Sequence, residues 1–137
     1  MKLSDFPLQT YDKIRYADTD RQGHVNNAVF ATLLETGRVE LLYNAANPLH
    51  EVSASFVIAS LKMDFLNELT WPGEVEIGTA ILRVGNSSIT IKQGIFQDKV
   101  LAASAETIIV HVSTKNGKSI VLSEDAKMVL EDLKMRP

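Results

Sequence analysis

Apolar and polar residues follow one another along the chain with two different periods. From residue 27 to about residue 46, apolar side chains recur every three or four positions, which is the period of one buried helix face, and Asn26 or Asn27 is a good N-cap. Pro48 cannot continue the hydrogen bonds of a helix, so the helix ends before it. From residue 74 to residue 84, apolar and polar residues alternate as in a strand with one buried face.

Further strands are predicted before and after the helix. A short strand over residues 10–16 precedes it, and largely apolar runs follow at residues 54–66, 88–96 and 100–113, with one more short strand after the Asn116-Gly117 turn. Ser123 can cap a final helix. Because the connections have hairpin length, we expect an α+β fold in which an antiparallel sheet of five or six strands packs against the long helix. We interpret residues 1–137 as one domain, since no linker or repeat divides the sequence.

The amino-acid composition and the charge argue against several kinds of binding partner. Hydrophobic residues make up 45% of the chain and charged residues 23%, which is typical of a globular protein, and no cysteine is present to form a disulfide or a thiolate metal site. The net charge is −3 with both signs spread along the chain, so no basic stripe is available for nucleic acid. No apolar run approaches the length of a membrane span, and the amino-terminus lacks the features of a signal peptide. We expect a soluble, cytoplasmic protein that binds neither nucleic acid nor a membrane.

The polar segment before the helix carries the candidate chemistry. Asp20 lies a few residues before the helix start, where free backbone N–H groups and the positive end of the helix dipole favour a developing negative charge. Asp20 could attack a carbonyl carbon or activate water, and His24 could orient a water or transfer a proton. Gly23 permits either a close approach to a ligand or a turn with a left-handed backbone conformation. The structural alternatives are a turn-capping role for Asp20, a backbone hydrogen bond for His24 and a helix-capping role for Asn26 and Asn27.

Two further carboxylates compete with Asp20. Asp18 would point the same way as Asp20 if the first strand continued through both, and only one of the two is expected to be catalytic. Glu35 lies about two helical turns after Asn27 on the same helix face, and it is either a second catalytic carboxylate or a partner for Arg38.

A metal site is not predicted. Asp18, Asp20 and His24 could contribute ligands, but the sequence offers no fourth ligand at a suitable spacing.

One motif and two turn sequences carry a family resemblance. YADTDRQGHVNN at residues 16–27 leads into the long helix, which carries Glu35 and Arg38, and WPGE and GNSS follow at residues 71–74 and 85–88. This combination resembles the hotdog-fold thioesterases of the 4-hydroxybenzoyl-CoA thioesterase type over roughly residues 9–123. The resemblance implies a curved antiparallel sheet wrapped around the long helix, and a homodimer whose sheets join edge to edge. It also implies that dimers frequently pair into tetramers and that the active sites lie at the dimer interface.

The resemblance also implies roles for individual residues. Asp20 would be the nucleophile or general base in the hydrolysis of an acyl-CoA thioester, and the amide at Asn27 would polarise the thioester carbonyl. His24 and Glu35 complete the predicted catalytic set. Gln22 stands where plant acyl-carrier-protein thioesterases have Asn, and Phe30 stands where many relatives have Tyr. The residues predicted to contact substrate are Asp18, Gly23, Asn26, Phe30, Ser87 and Ser88. Coenzyme A is then part of the substrate, and no cofactor is expected.

The acyl group and the exact activity stay open at this point. The predicted acyl cavity is apolar, which suits a fatty or aromatic group, and its lining is Phe30, Leu33, Leu34, Val57 and Ile58. The candidate cations for the coenzyme A arm are Lys62, Arg83 and Lys92. A hotdog hydratase or dehydratase would need a differently placed histidine. A non-catalytic acyl-CoA-binding module would be favoured if Asp20 were absent, and it is present.

Overall fold

Five antiparallel strands form one curved sheet, and a long helix lies against one face of it. The computed structural model describes residues 1–21 and 23–136. Its elements are β1 (Leu8–Lys13), α1 (Asn27–Leu42), β2 (Ala54–Phe65), β3 (Glu74–Val84), β4 (Ser88–Gln97), β5 (Val100–Ser113) and α2 (Glu124–Glu131), with 3₁₀ turns at Leu3–Asp5 and Tyr16–Asp18. The order across the sheet is β1-β3-β4-β5-β2, and every neighbouring pair is antiparallel. The predicted α+β fold, with its sheet wrapped around one long helix, is confirmed.

α1 packs on the inner face of the sheet, mainly against β1, β3 and β4. Phe30, Leu33 and Leu34 are buried there in one cluster with apolar side chains of the sheet. Gly37 marks the closest approach, because a Cβ atom at this position would lie 2.7 Å from Nε2 of Gln93 on β4. The helix is therefore fixed against the sheet along its length, and its amino-terminal end is held in one place.

The long helix is shorter than predicted. It ends at Leu42 rather than near residue 46, so it is about 24 Å long. The chain leaves the helix at Tyr43, whose hydroxyl accepts a hydrogen bond from the backbone N–H of Phe56 on β2. The N–H of Leu49 then bonds to the carbonyl of Leu42. A local turn follows, in which the side chain of Asn44 accepts from the N–H of Ala46, so the helix ends before Pro48 is reached.

The first strand and the predicted sixth strand also differ from expectation. β1 ends at Lys13 rather than at residue 16, because the chain turns into the 3₁₀ turn Tyr16–Asp18. Within the described residues, the segment after Gly117 forms only an isolated bridge between Val112 and Ser119, so the sheet has five strands. The cap predicted for the last helix is confirmed, since Ser123 accepts a hydrogen bond from the N–H of Ala126.

The outer face of the sheet is partly covered by the amino-terminal residues. Phe6 is fully buried against Phe96, and its ring lies over Gly78, where a Cβ atom would approach it to 2.5 Å. Gly78 follows Ile77, which faces α1, so the two residues point to opposite faces as strand geometry requires. Among residues 1–21 and 23–136, no helix has the length and apolar character needed to cross a bilayer.

Candidate active site

The loop that contains Asp20 is closed by its own hydrogen bonds. The N–H of Asp20 donates to the carbonyl of His24 at 2.8 Å, and the N–H of His24 donates to Oδ1 of Asp20 at 3.2 Å. Gly23 has a φ of +79°, a conformation that side-chain-bearing residues adopt rarely. Of the two roles predicted for Gly23, the left-handed turn is the one that this φ shows. Gln22 lies outside the described residues.

This loop is attached to the connection between β2 and β3. The N–H of Val25 donates to the carbonyl of Leu69 at 2.9 Å, and His24 forms a β-bridge with Thr70. Gln97, at the end of β4, then binds both the N–H and the carbonyl of Thr70 through its side-chain amide. The sheet thereby fixes the position of the loop.

The first turn of α1 offers one backbone donor. The side chain of Asn26 accepts from the N–H of Ala28, and the carbonyl of Asn26 accepts from the N–H of Val29. Among the residues that the structure describes, the N–H of Asn27 has no acceptor. Asn26 is thus the helix cap, and the N–H of Asn27 remains for a ligand oxygen at the positive end of the helix.

These groups meet around a cavity of about 350 Å³. Its lining residues are Asp20, His24, Val25, Asn27, Phe30, Phe65, Leu66, Asn67 and Glu68. The aromatic rings of Phe30 and Phe65 meet edge to face, with centroids 5.1 Å apart. The cavity therefore has a polar side at the helix start and an apolar side between α1 and β2. A larger cavity of about 510 Å³ at the amino-terminus is lined by none of the predicted site residues.

Glu68 was not predicted as a site residue. Its Oε2 atom lies 3.0 Å from Nε2 of His24. The two residues lie in loops that are distant in sequence, so no spacing indicates the pair. The only local signal is an acidic residue in the turn before the WPGE sequence.

Asp18 has a different environment from Asp20. It is 4% exposed, and its carboxylate accepts from the backbone N–H of Arg15 at 2.8 Å and from the Arg15 guanidinium at 2.9 Å. The hydrogen bonds from Arg15 hold the pKa of the Asp18 carboxyl below its ordinary value, against the opposing effect of burial. The expectation that Asp18 and Asp20 point the same way is wrong, because the strand ends before them. Asp18 lines a separate cavity of about 260 Å³.

Glu35 lines neither the Asp20 cavity nor the Asp18 cavity. It is exposed and lines a small cavity of about 100 Å³ with Arg38, Val57, Ile58 and neighbouring apolar side chains. Burial lowers the pKa of the Arg38 guanidinium, and the negative charge of Glu35 opposes that effect. Within the described residues of one chain, Glu35 therefore acts on Arg38 and does not line the Asp20 cavity.

The remaining predicted residues are dispersed. Leu33 and Leu34 are buried core residues and do not line the Asp20 cavity. Ser87 lies in the turn between β3 and β4, where its carbonyl accepts from the N–H of His111, and Ser88 is the first residue of β4. That turn is at the end of β4 opposite Gln97, and neither serine lines the Asp20 cavity. Their substrate contacts stay a prediction, as do those of Lys62, Arg83 and Lys92.

Metal ligands are not grouped in the described part of the chain. No set of three or more His, Asp or Glu side chains is arranged there to hold a metal ion.

Similar proteins share both the fold and part of the sequence. The family model of the thioesterase-like superfamily matches residues 14–131. The chain belongs to this superfamily. A thioesterase from Thermus thermophilus, crystallised with coenzyme A and zinc, is 28% identical with a TM-score of 0.82 over 97% of this chain and 98% of that one. A predicted thioesterase from Bacillus stearothermophilus is 26% identical with a TM-score of 0.83, over 94% and 97%.

Among curated proteins, the YsmA protein of Bacillus subtilis (strain 168) is 26% identical over 119 residues, which cover 85% of this chain and 80% of that protein. A Pseudomonas aeruginosa protein at 19% identity and a TM-score of 0.87, over 98% of this chain and 96% of that one, shares the fold. Superfamily membership and the thioesterase structures support thioester hydrolysis as the general activity.

Proposed function

We propose that this protein hydrolyses acyl-CoA thioesters, with Asp20 as the nucleophile or general base. The observation that carries the proposal is the cavity in which Asp20, His24 and the start of α1 meet an apolar wall. A thioester carbonyl placed there would have a carboxylate on one side and the N–H of Asn27 on the other. Hydrolysis needs this combination, because a nucleophile must reach the carbonyl carbon while a donor stabilises the oxyanion.

Coenzyme A enters this proposal as part of the substrate. The similar Thermus thermophilus thioesterase was crystallised with coenzyme A, which supports a coenzyme A thioester over other thioesters. Phe30, Phe65 and Leu66 provide apolar surface for a fatty or aromatic acyl group. The proposal includes no cofactor, since the carboxylate and the helix amide supply the chemistry.

Self-association into a homodimer is part of the same proposal. β2 is an edge strand, and large apolar side chains along it and just after it are 39% to 53% exposed, namely Val57, Ile58, Leu61, Phe65 and Leu66. An unpaired edge with exposed apolar residues is a surface that a second chain can cover. Phe65 and Leu66 also line the Asp20 cavity, so a partner at this edge would close the site.

The substitution Asp20→Asn tests the catalytic role. We expect purified wild-type protein to release thiol from at least one member of a panel of acyl-CoAs, as measured with a thiol reagent. Asn keeps the size of the side chain but cannot attack or accept a proton, so kcat is expected to fall about 100-fold or more. Asp98→Asn, in the exposed β4–β5 turn, is the matched control.

Two results would contradict this proposal. No thiol release from any acyl-CoA would exclude the activity, and a folded Asp20→Asn variant with wild-type kcat would exclude the role of Asp20.

A further inference from the structure

The connection between β2 and β3 forms the second wall of the Asp20 cavity. Its backbone is fixed to the sheet on both sides of Glu68. Before it, the side chain of Asn67 donates to the carbonyl of Leu101 at 2.8 Å. After it, Leu69 is fully buried and Thr70 is held by the side chain of Gln97. The Glu68 side chain is 68% exposed, yet it begins from a rigid backbone.

Glu68 is connected to Asp20 through His24. The carboxylate of Glu68 contacts Nε2 of the His24 ring at 3.0 Å. The backbone N–H of His24 donates to the carboxylate of Asp20 at 3.2 Å, and its carbonyl accepts from the N–H of Asp20 at 2.8 Å. His24 therefore joins the two walls of the cavity, with its side chain on one and its backbone on the other.

The contact also favours one position for the imidazole proton. An ionised carboxylate has only acceptor oxygens, so an Oε2 atom 3.0 Å from Nε2 favours a proton on that nitrogen. In the neutral ring, Nδ1 is then left as the acceptor. His24 is one of the residues that line the cavity.

We propose that Glu68 is a positioning residue, which holds the His24 imidazole in one tautomer and orientation beside Asp20 at the cavity. This inference rests on the proposed function, because the orientation of the His24 imidazole affects catalysis only if the cavity that it lines with Asp20 binds the thioester. An exposed carboxylate–imidazole pair adds little to stability. A purely structural role for Glu68 and a positioning role therefore predict different results.

The first experiment compares Glu68→Ala with Glu68→Gln on an acyl-CoA that the panel identifies. We expect Glu68→Ala to lower kcat about tenfold with KM changed less than twofold, because a displaced catalytic group affects the chemical step. Glu68→Gln keeps an oxygen acceptor and is expected to recover most of that loss. Both variants should melt at the wild-type temperature. The matched control is Glu131→Ala at the exposed end of α2, which is expected to leave kcat unchanged.

A double-mutant cycle tests whether Glu68 acts through His24. In a His24→Ala background, Glu68→Ala is expected to cause no further loss, because the connecting side chain is already missing. If the losses in kcat of the two single variants multiply in the double variant, Glu68 acts without His24, and the inference is overturned.

A spectroscopic measurement tests the inference independently of activity. The ¹⁵N shifts of the His24 imidazole are expected to report the Nε2-protonated tautomer in the wild type and a mixture of tautomers in Glu68→Ala. An unchanged tautomer in Glu68→Ala, or an unchanged kcat while Asp20→Asn is inactive, would overturn the role of Glu68 and leave the proposed function intact. Absence of thiol release by the wild type would instead overturn the proposed function, and the catalytic role of Glu68 with it.

Discussion

Asp18 and Asp20 are two carboxylates two positions apart that lie in different environments. The 3₁₀ turn Tyr16–Asp18 places Asp18 in the interior, where its oxygens close the turn by accepting from Arg15. Asp20 follows the turn and lines the cavity at the start of α1. A buried carboxylate already engaged by a guanidinium is a poor nucleophile, since its lone pairs are occupied and its charge is compensated. The environment therefore favours Asp20 for the chemistry and Asp18 for structure.

Substitutions at Asp18 are expected to reduce stability. Asp18→Ala removes both acceptors of the turn and should lower the free energy of unfolding by about 1–2 kcal/mol. Asp18→Asn retains an oxygen for the backbone N–H of Arg15 and should cost less. Chemical denaturation at one fixed protein concentration measures both variants. Equal stability of Asp18→Ala and the wild type would contradict a structural role for this carboxylate.

The contribution of Asp18 is expected to depend on pH. Its folded-state pKa is lowered by Arg15, so the charged form is bound more tightly in the folded state than in the unfolded state. The stabilisation is complete above the unfolded-state pKa and is lost as the pH falls through the folded-state pKa. The stability difference between wild type and Asp18→Asn should therefore be constant near neutrality and shrink below about pH 4.

Some site residues could be predicted from the sequence and others could not. Asp20, His24 and Asn27 lie within one short segment, so their proximity follows from local spacing. Glu68 and Phe65 reach the same cavity only because the β2–β3 connection folds back onto the Asp20 loop. That contact depends on tertiary structure, and no local pattern encodes it.

At the scale of elements, the contact between α1 and the sheet depends on Gly37. Gln93, buried on β4, donates to the carbonyl of Leu34 at 2.9 Å and to the hydroxyl of Thr79 at 3.0 Å. It also accepts from the Arg38 guanidinium at 3.4 Å. A side chain at Gly37 would enter this network, because its Cβ atom would lie 2.7 Å from Nε2 of Gln93. The glycine therefore permits a polar network between helix and sheet.

Gly37→Ala is expected to destabilise the protein even though alanine favours helices. The gain in helix propensity is about 1 kcal/mol, whereas overpacking and the displacement of Gln93 together cost more, so we expect a net loss of about 1–3 kcal/mol. Thr32→Ala, at an exposed position of the same helix, is the control and should be neutral or slightly stabilising. Equal or higher stability of Gly37→Ala in denaturant titrations would contradict the close packing.

The sequence predicts β2 to β5 to within one residue, whereas the ends of β1 and of α1 differ from expectation. The alternation of apolar and polar residues from residue 74 to residue 84 is a local pattern. It predicts both the first and the last residue of β3 correctly. At the end of α1, by contrast, the hydroxyl of Tyr43 accepts a hydrogen bond from the N–H of Phe56 on β2. Periodicity along one segment cannot report such a contact, because its two partners lie in different elements.

At the scale of the whole molecule, the sheet is covered unevenly. α1 lies over β1, β3 and β4, so β2 at the opposite edge has little cover from the helix. Residues 57–62 of β2 are all exposed in the single chain. The Asp20 cavity opens beside the same strand at Phe65. Association along β2 would bury the apolar edge and close the cavity in one step, which links assembly to activity.

Ile58→Lys tests this link, because a charge on an edge strand opposes pairing with a second chain. Ile58 is 50% exposed in the single chain, so the lysine itself fits without disturbing the core. By light scattering after gel filtration, we expect at least two 15.1-kDa chains for the wild type and one for Ile58→Lys. Thiol release should fall more than about tenfold, because the cavity loses the cover that the partner chain would provide, while the circular dichroism spectrum stays unchanged.

Val121→Lys, exposed and outside the sheet, is the matched control and should keep the wild-type mass and activity. A fully active wild-type monomer would contradict a site completed at the β2 edge.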